Sequence, residues 1–244
     1  MTTRSSKPVW LSIIVAFVFL AVLFSVVETV HPVFQLPEEF QNLPAEISSE
    51  LLTKYLAAST QVTTWNTILI AAIAGGGLAL AHTACGCCCR STLGQGIAIT
   101  LLGLVIGMSC GALGGWGGRY VRLNFVESVR DLGGLMFAHS IMLGLIGFGA
   151  GLARGVGIGT RKAVLMSAAG GLLGGVAAAI AYVLIISIAL PGEKIEFLIA
   201  DKTTIRMIWF ALATILVSIA IVLSDRVGSR PNLPPPEPAG SEPV

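Results

Sequence analysis

The chain has 244 residues, 55% of them hydrophobic and only 11% charged, where an ordinary soluble domain has roughly 25% charged. Its formal net charge of +2 is too small to hold nucleic acid through phosphates, and no basic stretch interleaved with aromatics occurs. Thirteen acids and three histidines leave few groups for acid–base chemistry, and uncharged runs of about twenty residues require a bilayer as solvent.

Residues 1–8 are a short polar start with Arg4 and Lys7, assigned to the cytoplasm. Residues 9–27 then run without a charge. A cleaved leader has an apolar core of roughly 7–15 residues before a small-residue site. This run is longer and bulky throughout, so 9–30 reads as a retained first span. Residues 31–63 form an extracytoplasmic segment punctuated by Pro32, Pro37 and Pro44. Its second half, 45–58, reads as a short amphipathic helix. Ile47, Leu51, Leu52, Tyr55 and Leu56 lie on one side, Glu46 and Glu50 on the other, and Glu50 pairs with Lys54 one turn on. Such a helix is expected to lie flat on the membrane or against the neighbouring spans.

The membrane region 64–224 carries five further spans: 65–83, 95–115, 133–153, 163–190 and 204–224. Between the third and fourth, Trp116, Arg119, Tyr120 and Arg122 read as interfacial anchors. Residues 225–244 read as a disordered proline-rich tail, with six prolines after Gly228. Six spans put both termini on one side. The acid-free short loops holding Arg90 and Arg154/Arg161/Lys162 assign that side to the cytoplasm of a multi-pass cell-membrane protein.

Of the 29 glycines, 26 fall between Gly75 and Gly175, and the first and sixth spans have none. Gly103, Gly107, Gly111 and Gly115 recur at four-residue spacing, as do Gly147/Gly151 and Gly171/Gly175. Residues four apart share a helix face, so each set makes a smooth stripe on which another backbone can settle. The fold class expected is therefore an all-α polytopic bundle of six transmembrane helices. Its glycine-rich inner four pack tightly, with the first and sixth outside. A faint repeat relates residues 66–77 to 139–151, as two copies of a two-span hairpin in one orientation.

Three features carry candidate chemistry. Cys85, Cys87, Cys88 and Cys89 crowd one short loop beside Arg90. Thiolates there could bind a soft metal, although the spacing matches no standard zinc pattern. A small-residue loop without a site is the plainer reading, and no cofactor is expected. Ser109 sits in Gly107-Met108-Ser109-Cys110-Gly111, which has the G-x-S-x-G pattern, but on a helix rather than a strand-to-helix turn. Ser109 and His139 also share a predicted depth of roughly 9 Å below the outer surface. A serine between glycines with one histidine at its depth is loosely similar to rhomboid-type intramembrane proteases, a resemblance that implies a Ser109–His139 dyad. His139 otherwise reads as a neutral link between helices, bonded to Ser109 or to a backbone carbonyl, or as a relay partner of Glu28. Arg154 is expected to snorkel to the interface.

The function expected is a non-enzymatic structural or assembly component that uses glycine-mediated helix packing. Its partners are the lipid bilayer and a second copy or another membrane protein, with no nucleic acid. The first alternative is a small transporter or channel with broken helices at residues 74–77 and 170–175, a reading that lacks a buried acid for ion coupling. The second is an intramembrane serine hydrolase.

Overall fold

The computed structural model describes residues 14, 18, 21–22, 24–25, 27–29, 32–41, 48–87, 93–126, 128, 131–190, 198–200 and 202–228. Most of the first span, residues 42–47, Cys88 to Arg90 and the tail from 229 lie outside these. The described residues hold five long helices and no strand: α1 Ser49–Cys87, α2 Leu93–Phe125, α3 Leu132–Ile158, α4 Arg161–Ala189 and α5 Thr203–Gly228. All five are long and apolar enough to cross a membrane. The protein is an all-helical membrane bundle. Residues of the first span that are described, Ile14 to Thr29, are helical too.

Helix length follows from what the sequence withholds. No proline occurs between Pro44 and Pro191, so nothing removes a backbone donor inside any of α1–α4. The ends are set by caps. Ser48 accepts from the Leu51 amide at 3.2 Å. Asp131 accepts from Gly134 at 2.9 Å and Thr160 from Ala163 at 3.2 Å. Gly159, with φ of 78°, turns α3 into α4; only glycine takes that left-handed conformation without strain.

The surface helix expected over 45–58 and the second span are one element. Between Ser49 and Ala74 there is neither glycine nor proline. The hydroxyls of Thr53, Thr63, Thr64 and Thr67 each donate to the carbonyl four residues back. Those bonds satisfy the hydroxyls locally, and with no glycine or proline to break it the helix runs on from Ser49 into the span as a stalk. The Glu50–Lys54 pair forms at 2.7 Å on that stalk. Likewise the segment from Trp116 to Phe125, placed between two spans as interfacial anchors, is the last turns of α2. Residues 74–77 and 170–175 are helical throughout, and neighbouring backbones pack against Gly75, Gly171, Gly174 and Gly175.

α3 is the hub, packing against α1, α2 and α4. Leu135, Ala138, His139, Met142, Leu143, Ile146, Ala150 and Ala153 are completely buried along it. α1, α3 and α5 run in one direction and α2 and α4 in the other. Below, "lower end" means the C-terminal ends of α1, α3 and α5, and "upper end" the opposite one.

Glycine content and burial do not run together. α2 is rich in glycine yet the most exposed of the five helices, showing Leu101, Leu102, Val105, Leu113, Trp116 and Tyr120 outward. α5 has no glycine before its last residue, yet buries Arg206, Trp209, Ala213, Val217, Ser218 and Ile221 in one stripe. α5 packs mainly on α4 and little on α1 or α3, so the sixth span stands at the edge of the cluster as expected, buried along one face. α4 supplies the smooth surface there, through Gly170 and Gly174.

Candidate functional site

The sequence-named glycines all stand at close approaches. A methyl group added at Gly107 would fall within 3.0 Å of the Gly75 carbonyl, and one added at Gly75 would meet the Gly107 carbonyl in turn. Gly147 and Gly171 face each other in the same reciprocal way across α3 and α4. Gly111 faces the Ala71 carbonyl, Gly115 the backbone of Ile68, Gly151 the Ser167 carbonyl and Gly175 the Leu143 carbonyl. Gly103 instead faces the Thr83 side chain. A backbone contact cannot give way as a flexible side chain can, so seven of these eight positions tolerate no larger residue without a helix shift.

Two polar clusters lie at the ends of the bundle. At the lower end, Arg154 of α3 pairs through Nε with Asp225 of α5, and Ser167 of α4 donates to the other Asp225 oxygen. His82 of α1 shares a 3.0 Å hydrogen bond with Ser218 of α5, and the Arg154 charge lies within electrostatic reach of it. Arg154 therefore does not snorkel outward; its side chain is 13% exposed and held by an acid. At the upper end, Arg206 of α5 grips Glu28 with both arms. Nε donates to Oε1 at 2.6 Å and Nη2 to Oε2 at 2.7 Å, while Nη1 donates to the Ala200 carbonyl at 2.6 Å. Thr203 adds a bond to Glu28 at 2.8 Å. Leu198, Ile199 and Ala200 are buried and tuck over this end.

The predicted Ser109–His139 dyad is not formed. Ser109 lies on the exposed face of α2, whereas His139 is fully buried. The His139 Nδ1 bonds the Leu135 carbonyl at 2.9 Å, and its Nε2 has no hydrogen-bond partner among the described residues. Of the readings offered for His139, the backbone-carbonyl bond is the one present. Its expected relay partner, Glu28, is engaged by Arg206.

Cys85 and Cys87 belong to the last turn of α1. Residues two apart on a helix point to opposite sides, so Cys85 is half-exposed while Cys87 is buried beside Gly157. Cys88 and Cys89 lie outside the described residues. Among the described residues no group of three His, Cys, Asp or Glu side chains could hold a metal ion together.

Beside the stalk, a groove of about 580 Å³ is lined by Val33, Phe34, Gln35, Gln61, Val62 and Trp65. Its outer wall is fixed by Asn66. The carboxamide accepts from the Phe34 amide at 3.0 Å and donates to the Phe34 carbonyl at 2.9 Å.

Sequence reasoning missed Asp225 and Arg206, counting the first as a tail acid and the second as an outer-side charge. Their signal was position. Each stands about one turn from an end of α5, at the edge of an apolar run, where a charge favours a partner. No family model matches the chain, and no curated protein or solved structure matches it.

Proposed function

We propose that the protein is a non-enzymatic, multi-pass component of the cell membrane, a rigid scaffold packed through its glycine stripes. The reading is carried by the reciprocal backbone contacts at Gly75/Gly107 and Gly147/Gly171. They occupy the smooth stripes inside one chain, so association with a second copy or another membrane protein falls to the outward face of α2. Both ion pairs sit within a turn or so of helix ends, whereas coupling sites of transporters lie near the bilayer midplane. The basic residues Arg154, Arg161 and Lys162 support a cytoplasmic lower end.

The test is disulfide trapping in native membranes. Val105→Cys, in a chain whose own cysteines are serine, should form a covalent dimer or a mixed disulfide with one defined partner. Gly103→Cys, on the intramolecular face, should not. Equal yields from both positions would overturn the scaffold reading.

One observation favours the runner-up, a small transporter or channel. The buried stripe of α5 carries Arg206, Trp209, Thr214 and Ser218 and runs down to Asp225, a half-buried acid near the end of the helix. Purified protein in liposomes separates the two. Solute flux lost in Ser218→Leu, with folding intact, would replace the scaffold by the transporter.

A further inference from the structure

Three buried side chains on three helices stand at one level of the bundle, each with a polar atom that has no hydrogen-bond partner among the described residues: His139 Nε2, Tyr182 Oη and Trp209 Nε1. Each is at least nine-tenths buried: His139 and Tyr182 are 0% exposed and Trp209 is 2%. Two independent registers set the level. Arg154 of α3 pairs with Asp225 of α5; fifteen residues back along these parallel helices stand His139 and Phe210, the neighbour of Trp209. Gly174 of α4 lies against Val217 of α5; eight residues onward and eight back along these antiparallel helices stand Tyr182 and Trp209. The His139 and Tyr182 rings are in contact, with centroids 5.3 Å apart.

The hydrogen-bonding chemistry of the three is complementary to a single small molecule. A carbonyl oxygen only accepts, so the bond to Leu135 puts the ring hydrogen of His139 on Nδ1 and leaves Nε2 of the neutral ring an acceptor. Trp209 Nε1 can only donate, and the Tyr182 hydroxyl can do either. A ligand that gives one hydrogen to His139, takes one from Trp209 and exchanges one with Tyr182 meets all three. Buried waters in proteins typically make about three such bonds to otherwise unpaired groups. Complete burial excludes a lipid or a larger solute arriving from the membrane.

We propose that His139, Tyr182 and Trp209 bind one water molecule inside the upper half of the bundle, joining α3, α4 and α5. The site lies about 10 Å below the N-terminal ends of α3 and α5, at 1.5 Å per helical residue. It ties α5, which packs mainly on α4, to the hub helix. The inference does not depend on the scaffold reading, because it concerns what fills this level and not what the protein associates with.

The experiment is water-edited solid-state NMR on full-length protein in deuterated lipid, with histidine and tryptophan labelled with ¹⁵N. Magnetisation from water should reach His139 Nε2 and Trp209 Nε1 at short mixing times. The backbone amides of Gly147 and Gly171, in the α3–α4 contact, serve as the dry reference in glycine-labelled protein. Tyr182→Phe, which keeps the ring and removes the hydroxyl, should cut both transfers at least threefold. Transfer no greater than at the dry reference overturns the proposal. So does transfer unchanged by Tyr182→Phe in a folded variant, since water would then reach the rings without a shared site. Should Tyr182→Phe fail to fold, Trp209→Phe read at His139 Nε2 tests the same claim against the same threshold.

Discussion

Gly147 and Gly171 show how much one missing methyl group governs here. In lipid no aqueous phase drives helices together, so contact distance decides how well two helices hold. Gly147→Leu should lower stability by about 3 kcal/mol or more, beyond the usual cost of overpacking, because the neighbour is a carbonyl on a rigid helix. Thermal unfolding in detergent checks this. Gly94 gives the contrast: nothing lies within 4 Å of an added methyl, so Gly94→Ala should leave stability unchanged or raise it by up to about 1 kcal/mol. The spacing of the glycines was visible in the sequence, but their partners were not. Gly103 and Gly107 look alike as letters, yet one meets a threonine side chain and the other a carbonyl. Asp225 was the opposite case. Its letter suggested a solvated tail, and its role depends on Arg154, 71 residues away. Asp225→Asn leaves the half-buried Arg154 beside a neutral group, which should cost about 1–2 kcal/mol, less than breaking a fully buried pair. Arg154→Met in the same chain should recover part of that loss, read as the shift in melting temperature.

At the scale of the element, the apolar runs that cross the bilayer could be read from composition, whereas the ends of the helices could not. α1 is the clearest example. The sequence suggested a separate amphipathic helix before its membrane part. The threonines turned their hydroxyls back onto the helix instead, a choice made by local geometry that residue identity leaves open. The result is a stalk whose flank is stiffened by Asn66 gripping Phe34 at both backbone atoms. Removing that grip frees the flank without touching the bundle. Asn66→Leu should raise hydrogen exchange at the Phe34 amide at least tenfold, corresponding to about 1.4 kcal/mol of local opening. The melting temperature should move little; a global collapse would show that the carboxamide supports the core itself.

Across the whole molecule, two hairpins repeat the same plan. α1 with α2 and α3 with α4 are each antiparallel pairs closed by facing glycines, Gly75/Gly107 in one and Gly147/Gly171 in the other. The match between residues 66–77 and 139–151 fits this, since Gly86 and Arg154 place α1 and α3 side by side in the same direction. α5 then adds a polar face that no repeat foretells. Orientation is tested by an impermeant thiol reagent applied to intact cells. Glu50→Cys on the stalk should be labelled and Lys162→Cys at the lower end protected, in a chain whose own cysteines are serine. The reverse pattern would invert the topology.

The clasp between Glu28 and Arg206 joins the first span to the last, across 178 residues of chain. During synthesis the acid enters the membrane long before its counter-charge exists. Until α5 arrives, the nascent protein lacks the guanidinium that grips this carboxylate, and a charge in the membrane is costly without such a partner. A chain stopped at residue 202 should therefore turn over severalfold faster than the complete one in a pulse-chase experiment, and Glu28→Gln should restore much of its lifetime. Arrival of α5 would thus be registered by the Glu28–Arg206 pair.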